Sequence, residues 1–160
     1  MQKIVLISVG RLKEDFFIKA EQEYLKRLKG YCDVSVVEVP QIVLPQNPSD
    51  AQIKKALEDE AESILSKIPK NSEIVSLCIE GKLFSSEQIA ELIDNNASVG
   101  SGLITFIIGG SFGLSEVIKQ KSRCRMSMSK MTFPHRLARI MLLEQIYRGF
   151  TIIAGSPYHK

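Results

Sequence analysis

Short apolar runs alternate along this chain with longer segments of helical apolar spacing, and this alternation limits the possible folds more than any other sequence feature. The first run, residues 2–9, is apolar at nearly every position, which is typical of a strand buried on both faces. Further strands are predicted at 33–39, 73–79 and 102–108. The strand at 73–79, the third in the chain, is expected to be ended by Gly81. The alternation predicts an α/β fold with a mostly parallel sheet flanked by helices.

Helices are predicted between these strands and after the last of them. Apolar residues three or four positions apart place them at 13–29, about 50–68, about 86–99 and 134–154. Ser49 or Asp50 and Ser85 or Ser86 are candidate N-caps, and Pro134 lies where a helix favours its first proline. No repeat, low-complexity tract or linker divides the sequence, so we expect a single domain over residues 1–160.

Cysteine usage and the N-terminus predict a cytoplasmic protein. Cys32, Cys78 and Cys124 are scattered and form no CxxC pair, which fits reduced, buried thiols better than disulfides. The apolar N-terminal run ends in charged residues and has no small-residue cleavage site, so we expect no signal peptide. No apolar run approaches the roughly 20 residues of a membrane-spanning helix.

Charge is distributed unevenly along the chain, although the formal net charge is only +3. Residues 119–160 contain nine Lys or Arg and a single acid, Glu144, whereas the first 118 residues contain more acids than bases. A basic C-terminal quarter on an acidic body indicates a polyanionic partner or an anionic substrate. The alternative is a solvated helix face.

A glycine-rich turn follows the fourth predicted strand and contains Gly109, Gly110 and Gly113. Such turns at the carboxyl ends of parallel strands are where α/β folds bind ligands, because exposed backbone N–H groups can approach the ligand closely. The GGxxG spacing matches neither a dinucleotide fingerprint nor a Walker loop. A purely structural turn is the remaining alternative.

Both histidines, His135 and His159, lie in the basic C-terminal quarter. With two histidines, no Cys/His cluster and no HExxH pattern, a metal centre is not expected. A GxSxG element is absent, and no cysteine has a supporting histidine context, so a hydrolase triad is not indicated. The residues alone therefore predict an α/β domain with a ligand-binding loop and a basic C-terminal face.

Three segments together resemble a known family. They are IIGGSFGLS (107–115), MSKMTFPHRLARIMLLEQIYRGFTI (128–152) and the terminal SPYHK (156–160). With the start of the chain and SLCIEGKLFSS (76–86), they are similar to the RlmH family of bacterial large-subunit rRNA methyltransferases, members of the SPOUT superfamily. The resemblance spans the whole chain.

The resemblance implies an activity, a fold detail and a partner. Members of the family transfer a methyl group from S-adenosylmethionine to N3 of a pseudouridine in 23S rRNA of the assembled ribosome, as homodimers. Their C-terminal segment forms a deep trefoil knot, which sequence reasoning would not propose because threaded chains are rare. Matching the family's cofactor-binding positions onto this chain gives Leu77, Gly109, Gly110, Met128, Ser129, Lys130, Met131, Thr132 and Phe133.

Methyl transfer to N3 requires that the imide proton leave. A proton acceptor, or a cation near the pseudouridine ring, should therefore assist the reaction. His135 and His159 are the candidate proton acceptors, and Arg148 and Arg139 are candidates for holding the imide oxygens or phosphates. Other roles are assigned to two further residues. Tyr158 is a candidate for stacking on a base, and Glu144 is expected to orient Arg148 from one helical turn away.

Three alternative functions stay open at this point. They are a related enzyme acting on tRNA, a non-catalytic ribosome-binding protein with the same fold, and a nucleotide-binding protein unrelated to methylation. The glycine spacing argues against the last of these.

Overall fold

Five strands and five helices alternate strictly in the computed structural model, which describes residues 1–160. In chain order they are β1 (Lys3–Val9), α1 (Asp15–Leu28), β2 (Asp33–Val39), α2 (Asp50–Lys67), β3 (Glu73–Leu83), α3 (Ser86–Val99), β4 (Leu103–Ile108), α4 (Glu116–Lys121), β5 (Cys124–Ser127) and α5 (His135–Ile153). The strands form one sheet in the order β2-β1-β4-β3-β5, and every pairing is parallel. The predicted α/β fold is confirmed.

The sheet is covered on both faces, which explains the unbroken apolar character of β1. Its alternate residues enter two separate hydrophobic clusters, Ile4 and Leu6 on one face and Val5, Ile7 and Val9 on the other. The first cluster includes residues of α1, α3 and α5, and the second includes residues of α2 and α4. None of the helices is both long enough and apolar enough to span a membrane.

Serine caps fix the starts of two helices at the predicted positions. Ser49 and Ser85 each accept a hydrogen bond from the backbone three residues on, and the glutamine there returns a bond to the serine backbone N–H. These reciprocal bonds satisfy donors that a helix start otherwise leaves without partners. Of the two candidates named for each cap, the first is therefore the one used.

The prediction that the third strand ends at Gly81 is wrong, because β3 continues to Leu83. Its extension is paired with β5: Met126 is in register with Leu77 and again with Lys82, so residues 78–81 bulge around it. The β5 backbone passes so close to Gly81 that a Cβ at position 81 would lie 2.7 Å from the Arg125 carbonyl oxygen. The trefoil knot stays a prediction.

A buried ion-pair cluster joins α5 to the opposite end of the sequence. The Arg139 side chain is 3 % exposed and donates to both carboxylate oxygens of Glu21, over 2.6 and 2.9 Å, and to Glu38 Oε2 over 2.7 Å. A guanidinium that is 3 % exposed and paired with two carboxylates is not accessible to RNA. The expectation that Arg139 holds the imide oxygens or phosphates is therefore corrected, and we assign it to holding α5 against α1 and β2.

Candidate functional site

A cavity of about 790 Å³ opens at the carboxyl ends of β3, β4 and β5. We call it the cofactor cavity, after the cofactor-binding positions that the family resemblance implies. Eight of the nine residues expected to bind the cofactor line it, namely Leu77, Gly109, Gly110, Met128, Ser129, Met131, Thr132 and Phe133. Lys130 lies outside its lining. Ligands bind at this edge in open α/β sheets, because the loops that leave the strands there converge.

The glycine turn is folded back tightly on itself. Gly113 donates its N–H to the Gly110 carbonyl over 3.1 Å and has a φ of 81°, a conformation that favours glycine. A Cβ at position 109 would lie 2.2 Å from the Gly113 carbonyl oxygen. Only glycine at 109 therefore permits this turn, which brings backbone against the cavity.

The loop between β5 and α5 is fixed by its own serines. Ser127 Oγ donates to the Ser129 carbonyl over 3.0 Å, and the Met131 N–H donates to Ser129 Oγ, also over 3.0 Å. Met131 is nevertheless 69 % exposed. Hydrogen bonds thus hold the loop backbone, and the loop exposes an apolar side chain at the cavity.

An ion pair between Lys119 and Glu80 lies in the cavity wall, with 2.5 Å between Nζ and Oε1. The hydrogen bond from Lys119 lowers the pKa of Glu80, so its carboxylate stays ionised and can accept hydrogen bonds from a ligand. Cys78 also lines the cavity, and burial raises the pKa of its thiol. Sequence reasoning assigned none of these three residues to the site, although Cys78 and Glu80 lie in the SLCIEGKLFSS segment that is part of the family resemblance.

His135 is the histidine that lines the cofactor cavity. It is the first residue of α5 and is partly buried. Burial, and then the nearby Arg136 charge, lower its pKa from the ordinary 6.5. The imidazole is consequently neutral at physiological pH and able to accept a proton.

The other predicted catalytic residues form a separate cluster on α5 and the C-terminal tail, here called the tail cluster. Arg148 donates through Nε to Glu144 Oε1 over 3.0 Å and through its NH2 group to the same oxygen over 2.5 Å, as the helical spacing predicted. The Tyr158 hydroxyl donates to that oxygen over 3.1 Å, and its ring lies 4.8 Å from the Arg148 guanidinium carbon. Glu144 thereby orients both side chains.

His159 closes the tail cluster against α3. Its Nδ1 lies 3.3 Å from the Arg148 NH1 group, which can only donate, so Nδ1 is the acceptor and Nε2 has the proton. Nε2 then donates to Glu87 Oε1 over 3.0 Å. Glu87 is a partner that sequence reasoning missed, because it lies 72 residues away from His159 and no local pattern connects them.

A smaller cavity of about 470 Å³ lies between the cofactor cavity and the tail cluster. Residues 126–128 line both cavities, and Glu144 lines only the smaller one. Within one chain, residues of the tail cluster therefore do not line the cofactor cavity.

The basic C-terminal quarter is partly neutralised by folding. Five of its nine cations are paired with carboxylates of the acidic body or of α5, namely Lys119, Arg123, Arg136, Arg139 and Arg148. Lys121, Arg125, Lys130 and Lys160 have no carboxylate partner. The positive surface available to a polyanion is therefore smaller than the sequence count indicates.

The matching family model and two similar proteins are all described as methyltransferases. The family model described as "Predicted SPOUT methyltransferase" matches residues 2–159. A protein named "Ribosomal RNA large subunit methyltransferase H" from Listeria monocytogenes serotype 4b (strain CLIP80459) is 45% identical over 98% of this chain and 99% of its own length. A protein of the same name from Listeria welshimeri serovar 6b is 44% identical over the same shares.

A solved structure supports the fold. "The structure of a probable methylase family protein from Haemophilus influenzae Rd KW20" aligns with a TM-score of 0.53 at 14% identity. The alignment covers 99% of this chain and 70% of the Haemophilus influenzae chain.

Proposed function

The chain belongs to the SPOUT methyltransferase family, and on that premise we propose that it methylates N3 of a pseudouridine in 23S rRNA of the assembled ribosome, with S-adenosylmethionine as the methyl donor. The observation that supports this most directly is the cofactor cavity, built from the glycine turn and the 128–133 loop. Full-length relatives named as rRNA methyltransferases support the choice of rRNA as the substrate class. A ribosomal substrate in turn favours a cytoplasmic location for the protein.

The cofactor cavity suits the methyl donor in size and chemistry. Its volume of about 790 Å³ falls in the range of small-molecule sites. Leu77, Met128 and Phe133 provide apolar walls for an adenine ring, the Gly109–Gly110 backbone provides polar groups, and the Glu80 carboxylate provides an acceptor for hydroxyls. When bound, the sulfonium would supply its methyl group to the RNA nitrogen by in-line displacement, with the neutral thioether as the leaving group, a reaction for which we expect no metal.

The chain's own part in catalysis is to position the RNA base and to remove its imide proton. We assign proton acceptance to His135, which is neutral and lines the cavity. His159 is a poorer acceptor in this arrangement, because both of its ring nitrogens already have partners. Arg148 is assigned to the developing charge on the imide oxygens.

Two subunits are needed to bring these groups together in our proposal. His135 lines the cofactor cavity, and Arg148 belongs to the tail cluster, which does not line that cavity in the same chain. We therefore propose a homodimer in which the tail cluster of one subunit faces the cofactor cavity of the other. Exposed Met131 and Phe112 beside the cavity are apolar residues that such a contact would cover.

Subunit mixing tests this arrangement. Arg148→Ala and His135→Gln should each lower methyl transfer to ribosomes about a hundredfold, since each removes a group acting in the transition state. An equimolar mixture of the two variants should regain about a quarter of wild-type activity, because half of its dimers are mixed and each mixed dimer has one intact site of two. Radiolabelled methyl transfer to ribosomes and to bulk tRNA is the measurement. Transfer to tRNA alone, or no recovery on mixing, would contradict the proposal.

The pH dependence of the reaction tests the role of His135. Because the pKa of His135 lies below 6.5, the proton-accepting form predominates above that value and is lost as the pH falls through it. We expect the rate at saturating substrate to fall on the acid side, with a midpoint below 6.5. His135→Gln should remove this acid limb. An unchanged acid limb in the variant would assign proton acceptance to another group.

A further inference from the structure

A second large cavity lies on the other side of the glycine turn and has no part in the mechanism above. Its volume is about 750 Å³, and it is enclosed by the end of β1, the loop 40–48 and α2. Ser111 and Phe112 of the glycine turn line this cavity and the cofactor cavity alike. We call it the loop cavity. A ligand bound there would lie next to the methyl donor, separated from it by one turn of backbone.

A buried carboxyl group in the loop cavity is only half satisfied. Glu60 on α2 is 6 % exposed, and its Oε2 accepts a hydrogen bond from the Ile42 N–H over 2.9 Å. Burial raises the pKa of Glu60, and this one hydrogen bond only partly opposes that shift. Its second oxygen has no partner within the chain, and Glu60 lines the cavity. This second oxygen is accessible from the cavity, so a ligand with an N–H donor could bind to it there.

A side-chain amide lies across the same cavity. A Cβ at Gly10 would lie 3.4 Å from Gln41 Oε1, and one at Gly110 would lie 3.2 Å from Gln41 Nε2. The two glycines therefore leave room for the Gln41 amide between the ends of β1 and β4. An amide and a carboxyl group together can bind the donors and acceptors on the edge of a nucleobase.

Apolar walls and cations complete the lining. Ile53, Ala56 and Leu57 of α2 offer flat aliphatic surface. Arg11 and Lys13 lie at the rim, are exposed, and have no carboxylate partner. The other charged groups there are largely neutralised, since Arg136 is paired with Glu14 and Glu38 with Arg139. The rim is consequently suited to a phosphate.

We propose that the loop cavity binds an unpaired nucleotide of the substrate RNA close to the methylated one. Glu60 and Gln41 contact the base, and Arg11 and Lys13 contact the phosphate. This rests on the proposed function. Glu60 requires an N–H donor, and the base edge of each of the four nucleotides offers one, in an amino, imide or ring N–H group.

Glu60→Gln is the central variant. Glutamine keeps an oxygen for the Ile42 N–H but places an NH2 group where the base presents its own donor. We expect the KM for ribosomes to rise about tenfold, as for the loss of one hydrogen bond to a charged group. The maximal rate and the Kd of S-adenosylmethionine should stay within about twofold. Glu62→Gln, on the exposed face of the same helix, is the matched control and should match wild type.

Leu57→Trp, which fills the cavity, and Gln41→Ala should raise the same KM, with thermal melting checking that each variant folds. Wild-type methylation with unchanged KM values in all three variants would overturn the inference while leaving the proposed function intact. Adenosine, guanosine, cytidine and uridine monophosphates are the direct probes. Each of them has an N–H donor on its base and should compete with ribosomes in wild type but not in Glu60→Gln. Binding without competition would identify a site for free nucleotides and would also overturn the inference.

Discussion

Gly109→Ala is expected to abolish methyl transfer. The added Cβ would lie 2.2 Å from the Gly113 carbonyl oxygen and 2.5 Å from its carbonyl carbon, distances that no side-chain movement can relieve because both atoms are backbone. The turn must open, and the polar backbone that we assign to binding the methyl donor moves with it. We expect the Kd of S-adenosylmethionine, measured by calorimetry, to rise at least about a hundredfold.

Gly30→Ala is the matched control, because a Cβ there meets nothing within 4 Å. This variant should bind the methyl donor and methylate ribosomes like wild type. Thermal melting distinguishes a local change at the turn from general unfolding. Wild-type affinity in Gly109→Ala would show that the turn does not form the cofactor site.

Arg139→Met is expected to give the largest loss of stability. It removes the only cation paired with the partly buried Glu21 and leaves that carboxylate uncompensated beneath α5. Breaking a buried ion pair from one side costs about 3–5 kcal/mol of unfolding free energy. Urea denaturation followed by circular dichroism measures the difference.

Lys55→Met serves as the control for this prediction. Lys55 pairs with Asp59 over 2.9 Å, and the two side chains are 73 % and 40 % exposed. An exposed pair of this kind contributes about 0–1 kcal/mol, so the variant should unfold close to wild type. Equal losses in the two variants would mean that burial of Arg139 does not govern its contribution.

Sequence patterns predicted the features that depend on interactions between residues close together in the chain. The strand and helix order followed from apolar periodicity, and the caps at Ser49 and Ser85 from side chains that bond to backbone three residues away. The position of Glu144 beside Arg148 followed from helix geometry. In each case the partners lie within one element or at its end.

These patterns did not predict contacts between segments that lie far apart in the sequence. Arg139 meets Glu21 from 118 residues away, and nothing near either residue indicates the pairing. The extension of β3 past Gly81 depends on β5, which follows more than 40 residues later. The tail cluster gained Glu87 for the same reason. The loop cavity has no sequence signature, because a loop, a helix and a turn enclose it together.

The order of strands in the sheet has a consequence for how the chain acquires its fold. β1 lies between β2 and β4, and Lys3 is in register with Leu103, so the centre of the sheet cannot close until most of the chain exists. Parallel sheets assembled from such distant segments fold slowly, because the entropy of closing long loops is lost before the contacts form. β5, which walls the cofactor cavity, joins an edge of that sheet. Maturation of the enzyme is therefore expected to lag behind its synthesis.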